Sequence, residues 1–547
     1  MRRASLSAGV AVLVLALAAC VGIPTSGGVQ AGPVIDEQLE PEVVVLASGP
    51  VAGSDQERIL TDFMQAVRSP QNDYAIAQQF LTPQLRATWD PNASTIIRSS
   101  ETHAPAAATN TWTYTVATRA SVDGEGRYTL QDSSSLTLTF GFEQVDGEWR
   151  ISQAADGIVL SQSSFDVAFR EQPLYFFDPS HAFLVPDVRW FPARATAPIR
   201  VVRALLNGPT NWLQGAVQTS FPVATALGEG SVDVTGNTAT VDLSAEALAA
   251  GTTELDRMRQ QLAATLDTPN VTMTVGGRAL PSADPSGNDA SVDPAVDGAA
   301  LVGVGDQFGF DGGAGVTPID GLSQKVVEAG ADAAVLARDR TAVAFRSADG
   351  VGVATITDEP VLLDRRPGLA VPSIDPFLFV WSAQAGSAAS LTTFELDGSS
   401  HAIQSALPGD ATVVSLDVSR DGTRLLLYLS SPVGPQLLVA GIVRQENVPT
   451  ALGPLIPLGV PSAAPVDATW VDDRTVATLS ADGAVTAFEV GGPSAALGQV
   501  AGGVSIVGGN NGSDGLRVLA GGEIWRPQGS SGWVSTLIPA SYLATKQ

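Results

Sequence analysis

A chain of 547 residues with 56 Asp and Glu against 30 Lys and Arg carries a formal charge of −26, although only 16% of its residues are charged. That balance argues against nucleic acid as a partner, because such binding rests on neutralising phosphates with Lys and Arg, and it offers no electrostatic attraction to anionic lipid. A single cysteine rules out a disulfide framework, so stability has to come from hydrophobic cores, which this length can build in roughly two to four domains.

The N-terminus carries the one covalent motif. Arg2 and Arg3 precede an apolar run, Ala8 to Ala18, which ends in Leu17-Ala18-Ala19-Cys20. The run is shorter than the roughly 20 apolar residues that span a bilayer as a helix, so it reads as a removable signal. It resembles a bacterial lipoprotein signal, with Leu17, Ala18 and Ala19 as the lipobox. Cys20, whose sulfur takes the diacylglycerol, would become the first residue of the mature chain, S-diacylglycerylated and N-palmitoylated. Two or more acyl chains anchor a protein stably where one does so only marginally. An ordinary secretory signal with an accidental cysteine is the alternative. Arg2-Arg3 also raises the twin-arginine route, but Ala4-Ser5-Leu6-Ser7 match that motif poorly, which favours general secretion. Without Arg2 and Arg3 the mature chain has 28 basic residues against 56 acidic ones, a charge of −28, so lipid has to do the anchoring.

Val21 to Gly53 contains Pro24, Pro33, Pro41 and Pro50 and no aromatic residue, which predicts an extended tether. From Ser54 the pattern becomes helical. Ser54 and Glu57 make a capping-box pair, and Ile59, Leu60, Phe63, Met64 and Val67 share a face. A second short helix is expected over Tyr74 to Leu81 and a third after Thr82-Pro83, with Thr as cap and Pro in the first turn. The period then changes to two, in Trp112, Tyr114 and Val116 and again in Leu136, Leu138, Phe140 and Phe142. Asp146-Gly147 then turns the chain into Trp149 and Ile151. This α+β order, closing on Asp-Gly-Glu-Trp-Arg-Ile (146–151), resembles the cone-shaped NTF2-like fold. Trp89, Trp112 and Trp149 are candidates for lining its concave face, with core packing as the alternative.

Beyond Leu174, Tyr175-Phe176 begins a strand, and Pro198 starts a helix with Ile199, Val202, Leu205 and Leu206 on one face. It ends at Asn207-Gly208-Pro209. Gly236-Asn237 joins a hairpin, a longer helix carries Leu255, Met258, Leu262 and Leu266, and Val271 to Val275 is a final strand. ALLNGPT (204–210), ATVDLSAE (239–246) and QQLAATLDTP (260–269) resemble the GerMN domain of germination and envelope proteins. The stretch from Arg278 to Ala300 loses periodicity and reads as a linker or exposed loop.

From Leu301 onward, short β-rich runs follow turn aspartates: Thr341 to Phe345, Phe377 to Trp381, Leu425 to Leu429, Val476 to Leu479 and Leu516 to Leu519. Their spacing suits one four-stranded propeller blade each. Five to seven blades are expected, with Leu301 to Phe310 available to pair with the last. The aspartates read as turn formers and not as calcium ligands, since no dense Asp-x-Asp-x-Asp loop occurs.

These readings give a multidomain chain, α+β (NTF2-like) and α/β (GerMN-like) modules followed by an all-β propeller. The divisions are a signal peptide at 1–19, lipidated cysteine and tether at 20–53, modules at 54–170 and 171–277, a linker at 278–300 and a propeller at 301–547. The whole order resembles the actinobacterial LpqB lipoprotein family. The resemblance implies a lipid-anchored protein on the extracytoplasmic face of the cell membrane. There it would contact the sensor histidine kinase of an MtrA–MtrB-type two-component system and affect envelope homeostasis and cell division. No enzyme activity, catalytic residue, metal or cofactor is expected. His103, His181 and His401 lie in separate regions, and no nucleophile elbow or phosphate-cradling loop is evident. An envelope glycan-binding or glycan-cleaving protein using a propeller pocket is the alternative, because paired carboxylates can be assembled from different blades.

Overall fold

Apolar residues at helical spacing dock the first helix, Gln56–Ala66, against a sheet, burying Ile59, Leu60 and Phe63. The computed structural model describes residues 47–131, 134–194, 196–281, 289–313, 315–459, 461 and 463–547. The lipobox and Cys20 lie outside these residues, as does most of the tether. The helix cap is Asp55, one residue beyond the expected Ser54: its carboxylate accepts the Arg58 amide at 2.9 Å. Glu57 is not a capping-box partner here, because it faces His103 at 3.3 Å. Asp55→Ala is accordingly expected to cost about 1 kcal/mol of stability and Ser54→Ala almost nothing, a difference that chemical denaturation of the two variants reads directly.

The 74–81 stretch forms only a 3₁₀ turn, Ala77–Phe80, while Thr82 caps the short helix Pro83–Arg86 through the Leu85 amide. The sheet has the order 148–153, 135–145, 111–123, 94–105, 158–161, with 128–130 also pairing 111–123. Asp146 and Gly147 both take positive φ, 53° and 81°, as a tight two-residue hairpin requires. The α+β class is thus found; the finer NTF2-like likeness rests on the sequence alone.

The second module begins with a long hairpin, Phe169–Phe177 and Phe183–Pro192. It starts just before the expected division at 170/171 and belongs to both modules. Val188 and Trp190 enter the first core, while Leu174, Phe176, Val185 and Phe191 enter the second. Helix Ala197–Leu206 carries Pro198 in its first turn, and Gly208, at φ 92°, terminates it. Strands Leu227–Thr235 and Thr238–Leu243 form the expected hairpin, and Asn270–Val275 lies parallel to the latter across helix Thr252–Thr265. The described part of the expected linker at 278–300 is tied to the second module. Ser291 and Val292 pair in parallel with Phe183 and Leu184, and the Ala290 amide donates to Gln260 Oε1 at 3.1 Å. Backbone groups form a ladder whatever the side chains, so a Ser, Gly and Asp-rich stretch can be stitched down without a periodic signal.

The described residues of the all-β part form six blades. Five run in order over 333–364, 373–402, 412–459, 465–499 and 503–539. The sixth is built from both ends of this region: Leu301, Val302 and Gly303 pair with Ala544, Leu543 and Tyr542, and strands 307–311 and 316–317 complete it. Strand Tyr542–Lys546 also pairs with the first blade, Val335 opposite Thr545. This is the closing pairing anticipated for Leu301 to Phe310. Among the described residues the only α-helix of this region is Ser323–Glu328.

Candidate functional site

The residues singled out from the sequence are dispersed. His103 meets Glu57, His181 meets Gln218 Nε2 at 3.1 Å, and His401 meets Glu395 Oε1 at 2.8 Å, each in a different sheet or turn. Trp89 is buried in the first core with its Nε1 donating to the Ala155 carbonyl, and Trp112 and Trp149 pack against the same core. The turn aspartates serve their own turns. Asp339 accepts the Thr341 amide, Asp375 those of Phe377 and Phe379, and Asp472 those of Arg474 and Thr475. No group of three or more His, Cys, Asp or Glu suited to a metal occurs among the described residues.

The innermost propeller strands are cross-linked by a ring of polar contacts. Gln547 Nε2 donates to Ser373 Oγ, Asp417 Oδ1 and the Val418 carbonyl at 3.3, 3.1 and 3.0 Å. Thr469 Oγ1 donates to Asp417 Oδ2 and accepts the Gly508 amide. Burial pushes Asp417 up to about 6, against the pull of the Trp470 amide and the Ser373 and Thr469 hydroxyls. Asp467, whose oxygens take the Ala468 and Ile506 amides, is likewise pushed up to about 6 by burial.

The second module and the propeller share a hydrophobic core. Trp212, Leu213, Ala216 and Val217 pack in one cluster with Leu426, Tyr428, Val439 and Phe488. Two glycines permit this approach: a Cβ on Gly441 would lie 2.7 Å from the Trp212 carbonyl oxygen, and one on Gly453 would lie 2.8 Å from it. Polar contacts frame the seam. Trp190 Nε1 donates to the Gly491 carbonyl at 2.9 Å, Tyr175 Oη to Asp473 Oδ2 at 3.4 Å, and Arg474 pairs with Glu171. Burial, then the hydrogen bond and charge of Glu171, push the Glu489 carboxyl up to about 9, so it stays protonated at neutral pH. Burial pushes Asp473 up to about 6.

A cleft of about 870 Å³ opens between the first and second modules. The second module contributes Arg194, Arg200 and Arg203; the first contributes Asp73, Asp90, Asp123 and Glu125. Arg194 is held in place by Asp73 Oδ1 at 2.6 Å and Asn92 Oδ1 at 3.0 Å. Arg200 donates to the Gly124 carbonyl at 3.0 Å and lies over the Phe191 ring; burial and then Arg194 hold it below its ordinary range. The sequence reading missed this cleft. Its one available signal was three arginines within 194–203 in a chain poor in basic residues.

Comparison with known proteins follows the same module order. The family model "Lipoprotein LpqB, N-terminal domain" matches residues 49–166, "Sporulation and spore germination" matches 173–280, and "Lipoprotein LpqB beta-propeller domain" matches 307–538. The lipoprotein LpqB of Cutibacterium acnes is 31% identical over 284 residues, 51% of this chain and 47% of the relative. That of Nocardia farcinica is 31% identical over 226 residues, 41% of this chain and 37% of the relative. That of Thermobifida fusca is 28% identical over 285 residues, 48% of this chain and 44% of the relative. The matched region thus spans less than half the length of these relatives. Among solved structures, the first GerMN domain of GerM from Bacillus subtilis is 20% identical and covers 22% of this chain and 97% of its own, at a TM-score of 0.18. TolB from Acinetobacter baumannii is 12% identical over 36% of this chain and 49% of its own, at 0.28. Neither structural likeness carries weight at such scores.

Proposed function

From membership of the LpqB lipoprotein family, to which this chain belongs by its N-terminal and propeller domains, we propose that it is a non-catalytic accessory lipoprotein. It is anchored through Cys20 at the extracytoplasmic face of the cell membrane and binds the external part of a sensor histidine kinase of the MtrA–MtrB type. Through that contact it modulates envelope homeostasis and cell division. The observation that carries this reading is the shared core of the second module and the propeller, with the seam around Glu171, Arg474 and Trp190. A chain welded in this way presents one rigid surface, which suits docking against a partner: little conformational freedom remains to be lost on binding.

Two experiments test it. Cys20→Ser is expected to abolish incorporation of a palmitate analogue and to leave the protein unprocessed or released; normal labelling of that variant contradicts the anchor. Purification from detergent-solubilised membranes, with identification of the co-purifying proteins, is expected to recover the kinase. Recovery of cell-wall fragments without any kinase contradicts the reading and favours the glycan-binding alternative.

A further inference from the structure

We propose that the cleft between the first two modules is a binding site for an amphoteric ligand, a short peptide with a free ammonium at one end and a free carboxylate at the other. The volume of about 870 Å³ falls within the range of ligand clefts. The charges decide the class. Arg194 and Asp73 are already spent on each other at 2.6 Å. Arg200 and Arg203 remain on one wall, three residues apart on one helical face; Asp90, Asp123 and Glu125 line the other, with Asp123 paired to Arg127 at 3.5 Å and Glu125 accepting from Asn207 Nδ2 at 3.2 Å. A simple anion entering the cleft meets two guanidiniums but also three carboxylates, within a chain of charge −26. A simple cation meets the reverse. A ligand carrying both charges satisfies both walls, and no free polyanion does.

The donors on the basic wall are underused. The Arg203 side chain is exposed and makes no hydrogen bond or ion pair among the described residues, and the Arg200 guanidinium donates only to the Gly124 carbonyl. The opposite rim shows a separate sign of a built site. Asn72, Asp73 and Tyr74 take left-handed φ values of 47°, 56° and 60° in succession, a conformation costly for residues other than glycine. Tyr74, 1% exposed, pins this turn from below while Asn72 and Asp73 line the cleft. Because the two walls come from different modules, an occupant bridges them. The inference stands apart from the kinase reading and does not depend on it.

The test is isothermal titration calorimetry of the full chain in detergent micelles with triglycine and pentaglycine, each also in N-acetylated and in C-terminally amidated form. At least one free peptide is expected to bind, and about tenfold more tightly than either blocked form. Arg203→Gln and Glu125→Gln are each expected to weaken it about tenfold, with the chain's unfolding midpoint unchanged. Absence of binding by both free peptides at millimolar concentration overturns the proposal. So does equal binding of free and blocked forms, which marks adventitious contact, or binding unaffected by both variants.

Discussion

Replacing Arg444 by methionine is expected to destabilise the propeller by about 3–5 kcal/mol, the cost of leaving a buried carboxylate without its partner. Arg444 and Asp375 are 1% and 0% exposed in their side chains, and Nη2 meets Oδ2 at 2.5 Å. The guanidinium also donates to the carbonyls of Gly422 and Asn447, each at 2.9 Å, and lies over the Phe377 ring at 4.5 Å. Asp375 in turn accepts the amides of Phe377 and Phe379 and the indole Nε1 of Trp381. One residue thus ties the 375–381 turn of the second blade to strand Gly434–Gln445 of the third. Methionine keeps much of the stacking volume but removes every donor. The measurement is the urea midpoint of the full chain followed by tryptophan fluorescence, since Trp381 sits at the lesion. A double variant, Asp375→Leu with Arg444→Met, is expected to recover part of the loss, because no unpaired charge remains.

Raising the pH from 5.5 to 7.5 is expected to weaken the seam between the second module and the propeller, by roughly 2–3 kcal/mol. The sign follows from Glu489. Its folded-state value, about 9, lies above the ordinary 4.5, so the folded protein holds a proton that the unfolded chain releases. The stability it contributes is fully present below about pH 4.5 and is lost progressively as pH rises toward 9. Asp417, Asp467 and Asp473, each pushed up to about 6, act in the same direction at lower pH. His181, held below its ordinary value by burial, works in the opposite direction. Glu489→Gln isolates the contribution of interest. The amide keeps the shape and the neutral state, so the variant's midpoint should change less between pH 5.5 and 7.5 than the parent's. An identical slope in the two proteins contradicts the assignment.

What the sequence made legible follows burial geometry. Helix Gln56–Ala66 was readable because only one of its faces is buried, whereas Phe183–Pro192 left no alternating signal because all ten of its residues are buried. Its two charges, Asp187 and Arg189, look like surface residues in the sequence, yet they pair with each other at 2.8 Å in the interior. The propeller announced itself through aspartate-led turns, which depend on local chemistry. Its blade number did not, since the second blade is built from strands of two or three residues, too short to show a period. The cleft was out of reach for a different reason. Arg194, Arg200 and Arg203 face carboxylates roughly 70 to 130 residues earlier in the chain, and only the docking of two modules brings them together. The choice of Asp55 over Ser54 as cap was a matter of one residue, the resolution at which helix boundaries are generally read.

The central claim, a rigid anchored platform that docks on a sensor kinase, is tested most directly by surface-based measurement of binding between the full chain, held by its lipid in a supported bilayer, and the purified external domain of the kinase. Saturable binding to the anchored protein is the predicted result for a contact made by preformed surfaces. Failure of the kinase domain to bind the anchored, folded protein at any accessible concentration would contradict it.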